Sequence, residues 1–228
     1  MTQHKLLPSP FANPEAVASY AEDAPRKVPG LADLHRMVTL LLSEQAPAGA
    51  HVLVVGSGGG LELKSMATLR PDWRFTGVDP SRAMLDLARH AVVPFADRVN
   101  LVAGTVEEAP AGPFDGATCL LTLHFLDRSE RLRTLREIRR RLNPDSGLVV
   151  VHHAPPETDI EHWMARSAAF GGRGNSDWAR ARATGHTMAE RLPLVDPAGE
   201  EELLHDAGFS DVALFYAAFS FRGWVATA

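Results

Sequence analysis

The sequence predicts one α/β domain: a mainly parallel, seven-stranded sheet with helices on both faces, finished by an antiparallel hairpin. Three observations carry this. Short apolar runs alternate with segments of helical period between residues 51 and 153. A glycine-rich turn, GSGGG, joins the first of those runs to the helix after it. Two strand-like segments, DVALFY and FSFRGWVATA, close the chain with no room for a helix between them.

The elements follow in order. Residues 1–30 are rich in proline and charge and read as an irregular arm. Leu34, Met37, Val38 and Leu41 fall on one face of a helix that Pro47 and Gly49 end. HVLVV (51–55) is a continuous apolar run, as a buried parallel strand requires. LELKSMATL (61–69) reads as a helix and RFTGVD (74–79) as the second strand. SRAMLDLARHA is a helix with Ser81 at its N-cap and Met84, Leu87, Ala88 and Ala91 on one face. VNLVAG (99–104) and FDGATCLLTL (114–123) are the third and fourth strands. SERLRTLREIRRRL (129–142) is a helix directing Leu132, Leu135, Ile138 and Leu142 inward, broken by Asn143, Pro144 and Gly147. LVVVHH (148–153) is the fifth strand. Residues 155–192 interrupt the alternation and read as a helical insertion over the carboxyl edge of the sheet, and EEELLHDAGF (200–209) is a helix stopped at Gly208.

Composition narrows the function classes. The chain has 228 residues, of which 45% are hydrophobic, enough for one domain with a sizeable core. A formal net charge of −5 disfavours a general electrostatic grip on nucleic acid. The seven arginines of residues 128–141 read as a solvated helix face offset by Glu130 and Glu137. Cys119 is the single cysteine, set in an apolar run as a buried thiol. No apolar stretch is long enough for a signal peptide or a membrane span, so a soluble cytoplasmic protein is expected, with a homodimer left open. Metal-ligand spacings are lacking, and His152–His153 alone does not make a zinc site.

The chemistry begins at the turn. Gly56, Gly58 and Gly60, with Ser57 between the first two, stand between strand and helix, where backbone must bend sharply and approach a ligand closely. The N–H groups of the helix beyond suit a carboxylate. The dinucleotide spacing G-x-G-x-x-G would require glycine at position 61, which is Leu61, so G-x-G-x-G fits better. Asp79, followed by Pro80, ends the next strand 23 residues after Gly56, where an acid accepts hydrogen bonds from ribose hydroxyls.

HVLVVGSGGG…FTGVDPSRAML…FDGATCLLTLHFL…REIRRRLNPDSGLVV resembles the class I S-adenosylmethionine (SAM)-dependent methyltransferases, and G-x-G-x-G is their spacing. The resemblance implies a Rossmann-like methyltransferase fold, SAM as cofactor and S-adenosylhomocysteine as its product. It places adenine near Thr105 and Val106 and the methyl donor near Leu120. RKVPGLADL, LTLHFLDRSERLRTLREIRRRLNP and LLHDAGFSDVALFYAAFSFRGWVA resemble in particular the carboxy-SAM synthase group, which prepares a cofactor for tRNA wobble-uridine modification. In that group a tyrosine and an arginine hold the extra carboxylate; the matching positions here are Leu31 and Leu203. Ordinary SAM and a small-molecule acceptor are therefore expected. A carboxy-SAM synthase-like enzyme and a non-catalytic SAM-binding protein are the alternatives. Val54 and Thr105 bear on the second of these, because many relatives carry acids at both positions.

Methyl transfer from a sulfonium needs alignment more than acid or metal. Where the acceptor requires a base, His124, His152 and His153 stand at the carboxyl edge as candidates. The Asn/Asp-Pro-Pro-Tyr signature of base-amine methyltransferases is replaced here by LLTLHF. Tyr20 and Arg26 of the arm, with Trp163, Phe170 and Trp178 of the insertion, are the candidates to cover the acceptor pocket, and Gly171, Gly172 and Gly174 to let the cover open.

Overall fold

The computed structural model describes residues 14–172 and 177–228. Its seven strands are β1 (His51–Val55), β2 (Arg74–Asp79), β3 (Val99–Ala103), β4 (Phe114–Leu120), β5 (Leu142–His153), β6 (Ser210–Ala218) and β7 (Phe221–Thr227). They lie in the order β3-β2-β1-β4-β5-β7-β6. The pairs from β3 through β5 are parallel, and β7 runs antiparallel to both β5 and β6. Eight helices accompany them among the described residues: α1 (Pro14–Lys27), α2 (Leu31–Ser43), α3 (Leu61–Leu69), α4 (Arg82–Ala91), α5 (Arg128–Arg139), α6 (Ile160–Phe170), α7 (Trp178–Arg191) and α8 (Pro197–Asp206). None of them is long and apolar enough to cross a membrane.

Strand parity divides the core into two halves. Leu53 and Val55 of β1 point into one, with Phe114, Leu135, Ile138, Leu203, Leu204 and Trp224. Val52 and Val54 point into the other, with Leu31, Leu34, Val38, Leu63, Met66, Trp73 and Phe221. Both halves are apolar, as a sheet covered on each face requires.

Four expectations are corrected. Residues 14–27 of the arm form α1, which packs against α2, α4 and α6 and so has a fixed place. The buried face of α2 is Leu31, Leu34, His35, Val38, Thr39 and Leu42, leaving Met37 and Leu41 at its margin. The fifth strand starts six residues early. Leu142 pairs with Phe114 and Gly147 with Gly116, so Asn143 and Pro144 ride on an irregularity within β5 and do not end a helix. Lastly, Arg131 and Arg141 of the supposedly solvated face are 0% and 3% exposed.

The insertion is a pair of helices. Gly185 of α7 lies so close to α6 that a Cβ would stand 2.5 Å from the Ala165 nitrogen. α6 also packs against α1, and Gly171 abuts Lys27. Of the flexible run expected at 171–175, Arg173, Gly174 and Asn175 lie outside the described residues.

Candidate cofactor site

The turn after β1 is built as a hydrogen-bonded hook. Gly56 and Ser57 both donate to the Val78 carbonyl, at 2.9 and 3.0 Å, and Gly60 donates back to the Ser57 carbonyl at 3.0 Å. Gly58 takes φ +51°, a left-handed conformation that side chains resist. Gly60 serves packing: a Cβ there would stand 2.9 Å from the Ala88 backbone of α4. At Gly56 a Cβ would overlap Thr122, so this glycine lets the segment after β4 come in against the turn.

Asp79 ties β2 to this hook. Its Oδ2 accepts the Gly58 N–H at 2.9 Å and its Oδ1 the Ser81 N–H at 2.8 Å, while the Ser81 hydroxyl accepts Met84 N–H and caps α4. Burial raises the carboxyl pKa and the two N–H bonds oppose that rise. A carboxylate offers about four acceptor sites, so two remain for a ligand's hydroxyls. Pro80 beside it is exposed. After β3, Thr105 is exposed and caps a short turn: its hydroxyl bonds Glu107 and Glu108, and its N–H donates to Glu108 Oε2 at 2.7 Å. Val106 is buried beneath it.

A narrow cavity of about 20 Å³ lies beside the hook, lined by Tyr20, Leu31, His35, Gly56, Ser57, Leu61, Glu62, Leu120 and Leu121. Tyr20 descends from α1, its hydroxyl 3.2 Å from where a Gly58 Cβ would stand. Its phenol pKa is pushed up to about 12 by burial and by the charges of Glu62 and Asp79. Leu121 takes φ +58°, a left-handed conformation uncommon for a branched side chain, which turns the chain away from the sheet at the cavity's edge. Glu62, on the first turn of α3, is 6% exposed, and burial raises its carboxyl to about 7, with the nearby Thr118 hydroxyl opposing the rise. Glu62 Oε1 and Ser57 Oγ are buried without hydrogen-bond partners. The helix they adjoin has no side-chain cap on its N-terminus.

The three histidines separate. His124 and His153 meet with ring centroids 5.0 Å apart. His153 stacks on Phe221 and its Nδ1 lies 2.7 Å from Ser220 Oγ, which in turn lies 2.6 Å from Ser167 Oγ. Burial lowers the His153 pKa to about 3 and holds His124 well below 6.5. His152, one residue earlier, points into the other half of the core, with Nε2 3.1 Å from Glu200 Oε1 and the ring against Trp224. Glu200 also pairs with Arg131, which donates to the Leu126 and Pro193 carbonyls at 2.9 and 2.7 Å. Burial and the neighbouring Arg131 hold His152 well below its ordinary pKa, so it sits uncharged beside the buried Arg131–Glu200 ion pair, away from the cavity.

The expected cover residues divide likewise. Only Tyr20 lines the cavity. Arg26 pairs with Asp23 on α1. Trp163 carries the Arg166 guanidinium 4.2 Å above its ring, and Trp178 and Phe170 are 45% and 46% exposed. Leu31 and Leu203, which the resemblance sets around one carboxylate, lie in opposite halves of the core, so within one chain they do not share a ligand. No group of metal ligands forms among the described residues.

Order β3-β2-β1-β4-β5-β7-β6, a glycine hook after β1 and an acid ending β2 define a class I methyltransferase fold. Residues 52–145 match the family model described as a methyltransferase domain. A carboxy-S-adenosyl-L-methionine synthase from Haemophilus ducreyi is 26% identical over 234 residues, covering 95% of this chain and 91% of that protein. The structure of a SAM-dependent methyltransferase from Aquifex aeolicus superposes with a TM-score of 0.61 at 18% identity, covering 91% of this chain and 97% of that one. PigF solved with S-adenosylhomocysteine superposes with a TM-score of 0.69 at 16% identity over 96% of this chain, which spans 61% of PigF. The chain thus carries a match to a methyltransferase domain over residues 52–145, is similar along most of its length to carboxy-SAM synthases, and shares the fold of SAM-dependent methyltransferases. Its residues fit SAM: the hook, Asp79 with acceptor capacity to spare, and Glu62, a buried acid that lines the cavity with one oxygen unpartnered.

Proposed function

We propose that this enzyme transfers the methyl group of ordinary SAM to a small-molecule acceptor admitted beside α1 and α6. One observation carries the choice of cofactor: the cavity is lined by no lysine or arginine, while Glu62 contributes an acid. His35 adds no cation at neutral pH, because burial lowers it to about 4. A carboxy-sulfonium would set a second anion in this space with nothing to offset several kcal/mol of desolvation. Bound SAM supplies an electrophilic methyl group whose displacement needs an aligned nucleophile.

The protein's part is then positioning. His124 and His153 hold too few protons at neutral pH to act as acids, and with pKa values this low they are weak bases. This favours acceptors that are nucleophilic without deprotonation by the enzyme. A small acceptor also agrees with the arginines of α5. Arg128, Arg133 and Arg140 pair with Glu202, Glu107 and Glu137, and Arg136 donates to the end of α8, leaving little positive surface for RNA.

Native mass spectrometry of the purified protein tests the reading, because carried-over SAM, S-adenosylhomocysteine and carboxy-SAM differ in mass. A competition titration should favour SAM over carboxy-SAM by at least tenfold. Preference for carboxy-SAM would overturn the proposal.

A further inference from the structure

Glu62 is the acid of the cavity, and no cation answers it. Val54, which points into the same half of the core from β1, is apolar and fully buried, so no carboxylate comes from the strand. Glu62 instead reaches in from α3 toward Thr118 of β4, the direct neighbour of Val54 across the β1–β4 pair. One carboxylate oxygen, Oε1, stays buried and unpartnered. The titratable and polar groups that share this space with Glu62 are Tyr20 of α1, His35 of α2 and Thr118 of β4, with Cys119 behind on the other face of the sheet and Asp79 beyond Tyr20. None is a cation at neutral pH: Tyr20 and Cys119 are pushed up in pKa by burial and stay protonated and uncharged, and His35 is neutral. An acid kept 6% exposed without a counter-charge is a costly arrangement unless a ligand supplies the charge.

Resting on the reading of this cavity as the SAM site, we propose that Glu62 anchors the α-ammonium group of the cofactor's amino-acid end. The uncapped N-terminus of α3 beside it offers N–H groups to the α-carboxylate of the same amino acid. The cofactor would thus be held at both charges of its amino-acid end by one turn of one helix, with Asp79 at the ribose.

The test compares two ligands by calorimetry. S-adenosylhomocysteine carries the ammonium, and 5′-methylthioadenosine carries the same nucleoside and thioether without it. Glu62→Gln keeps the size of the side chain and removes its charge. The variant should bind S-adenosylhomocysteine at least tenfold more weakly at pH 8 and methylthioadenosine as the native protein does. Thermal melting should show the variant folded and no less stable, since a buried charge has been removed. Native affinity for S-adenosylhomocysteine should also fall toward tenfold per pH unit below about 7, where Glu62 takes up a proton, and the variant should lack this slope. Unchanged affinity in Glu62→Gln would overturn the assignment. Equal weakening of both ligands would also overturn it, making Glu62 a support of the pocket's shape. If the native protein bound neither ligand, the cofactor site itself would be wrong.

Discussion

Removing the Asp79 carboxylate should weaken S-adenosylhomocysteine binding about 10- to 150-fold. The carboxylate already accepts Gly58 N–H at 2.9 Å and Ser81 N–H at 2.8 Å, so its ribose bonds draw on the remaining lone pairs. A hydrogen bond to a charged group contributes about 1.5–3 kcal/mol, and about 1.4 kcal/mol is a factor of ten in Kd. Asp79→Ala also strands the buried Gly58 N–H, at a stability cost of about 1–3 kcal/mol. Calorimetry and thermal melting on the same variant read the two effects apart. The 2′-deoxy analogue of the ligand sharpens the result, because Asp79→Ala should cost it less than the parent. Unchanged affinity in Asp79→Ala would refute the ribose assignment. An equal loss for both ligands would show that Asp79 acts only through the turn.

Gly58→Val should abolish S-adenosylhomocysteine binding with the far-ultraviolet circular dichroism retained, since φ +51° disfavours a branched residue and a Cβ meets the Tyr20 hydroxyl at 3.2 Å; normal affinity would assign this glycine to the turn alone. Glu200→Ala leaves the fully buried Arg131 without its counter-charge and should cost about 3–5 kcal/mol in urea unfolding. A loss below about 1 kcal/mol would mean that the Leu126 and Pro193 carbonyls suffice. The buried histidines should make stability fall with acidification, against the opposite contribution of Glu62, which takes up its proton more readily in the fold. His35 and His153 stay neutral in the fold down to about pH 4 and 3, whereas the unfolded chain protonates them below about 6.5. More protons on the unfolded state means that stability present above pH 6.5 declines toward pH 4, by up to about 1.4 kcal/mol per pH unit for each histidine. His35→Leu should flatten the melting-temperature profile over that range, and an unaltered slope would remove His35 from the effect.

The alternation of β1 through β5 was legible because buried parallel strands are continuously apolar and the helices between them keep a 3.6-residue period. The hook was legible because three glycines in five residues leave few conformational alternatives. Other features depend on tertiary contacts. α1 has two prolines at its borders and a third inside, Pro25, so local propensity speaks against a helix that packing on α2, α4 and α6 supports. The start of β5 at Leu142 is set by pairing with Phe114, a partner 28 residues away. Glu62 did leave a trace in the sequence. Leu63, Met66 and Ala67 mark the buried face of α3, and Glu62 stands at i−4 from Met66, an acid on an apolar stripe. Arg131 left the same kind of trace, one turn before Leu135 on the buried face of α5.

Parity explains why the candidate histidines could not be told apart from the sequence. Adjacent residues of a strand point to opposite faces, so His152 and His153 enter different halves of the core although both end the same strand. His152 meets Arg131 and Glu200 beneath α5 and α8; His153 meets His124, Ser220 and Ser167 beside α6. Only the second group lies beside α6, which packs against α1. The same division separates Leu31 from Leu203. A carboxylate held by both positions would need the Leu203 side from another molecule, because the sheet stands between them in one chain. The side chains that reach the cavity therefore come from the face that carries α1, α2 and α3, and among them Tyr20, His35 and Glu62 are the titratable ones.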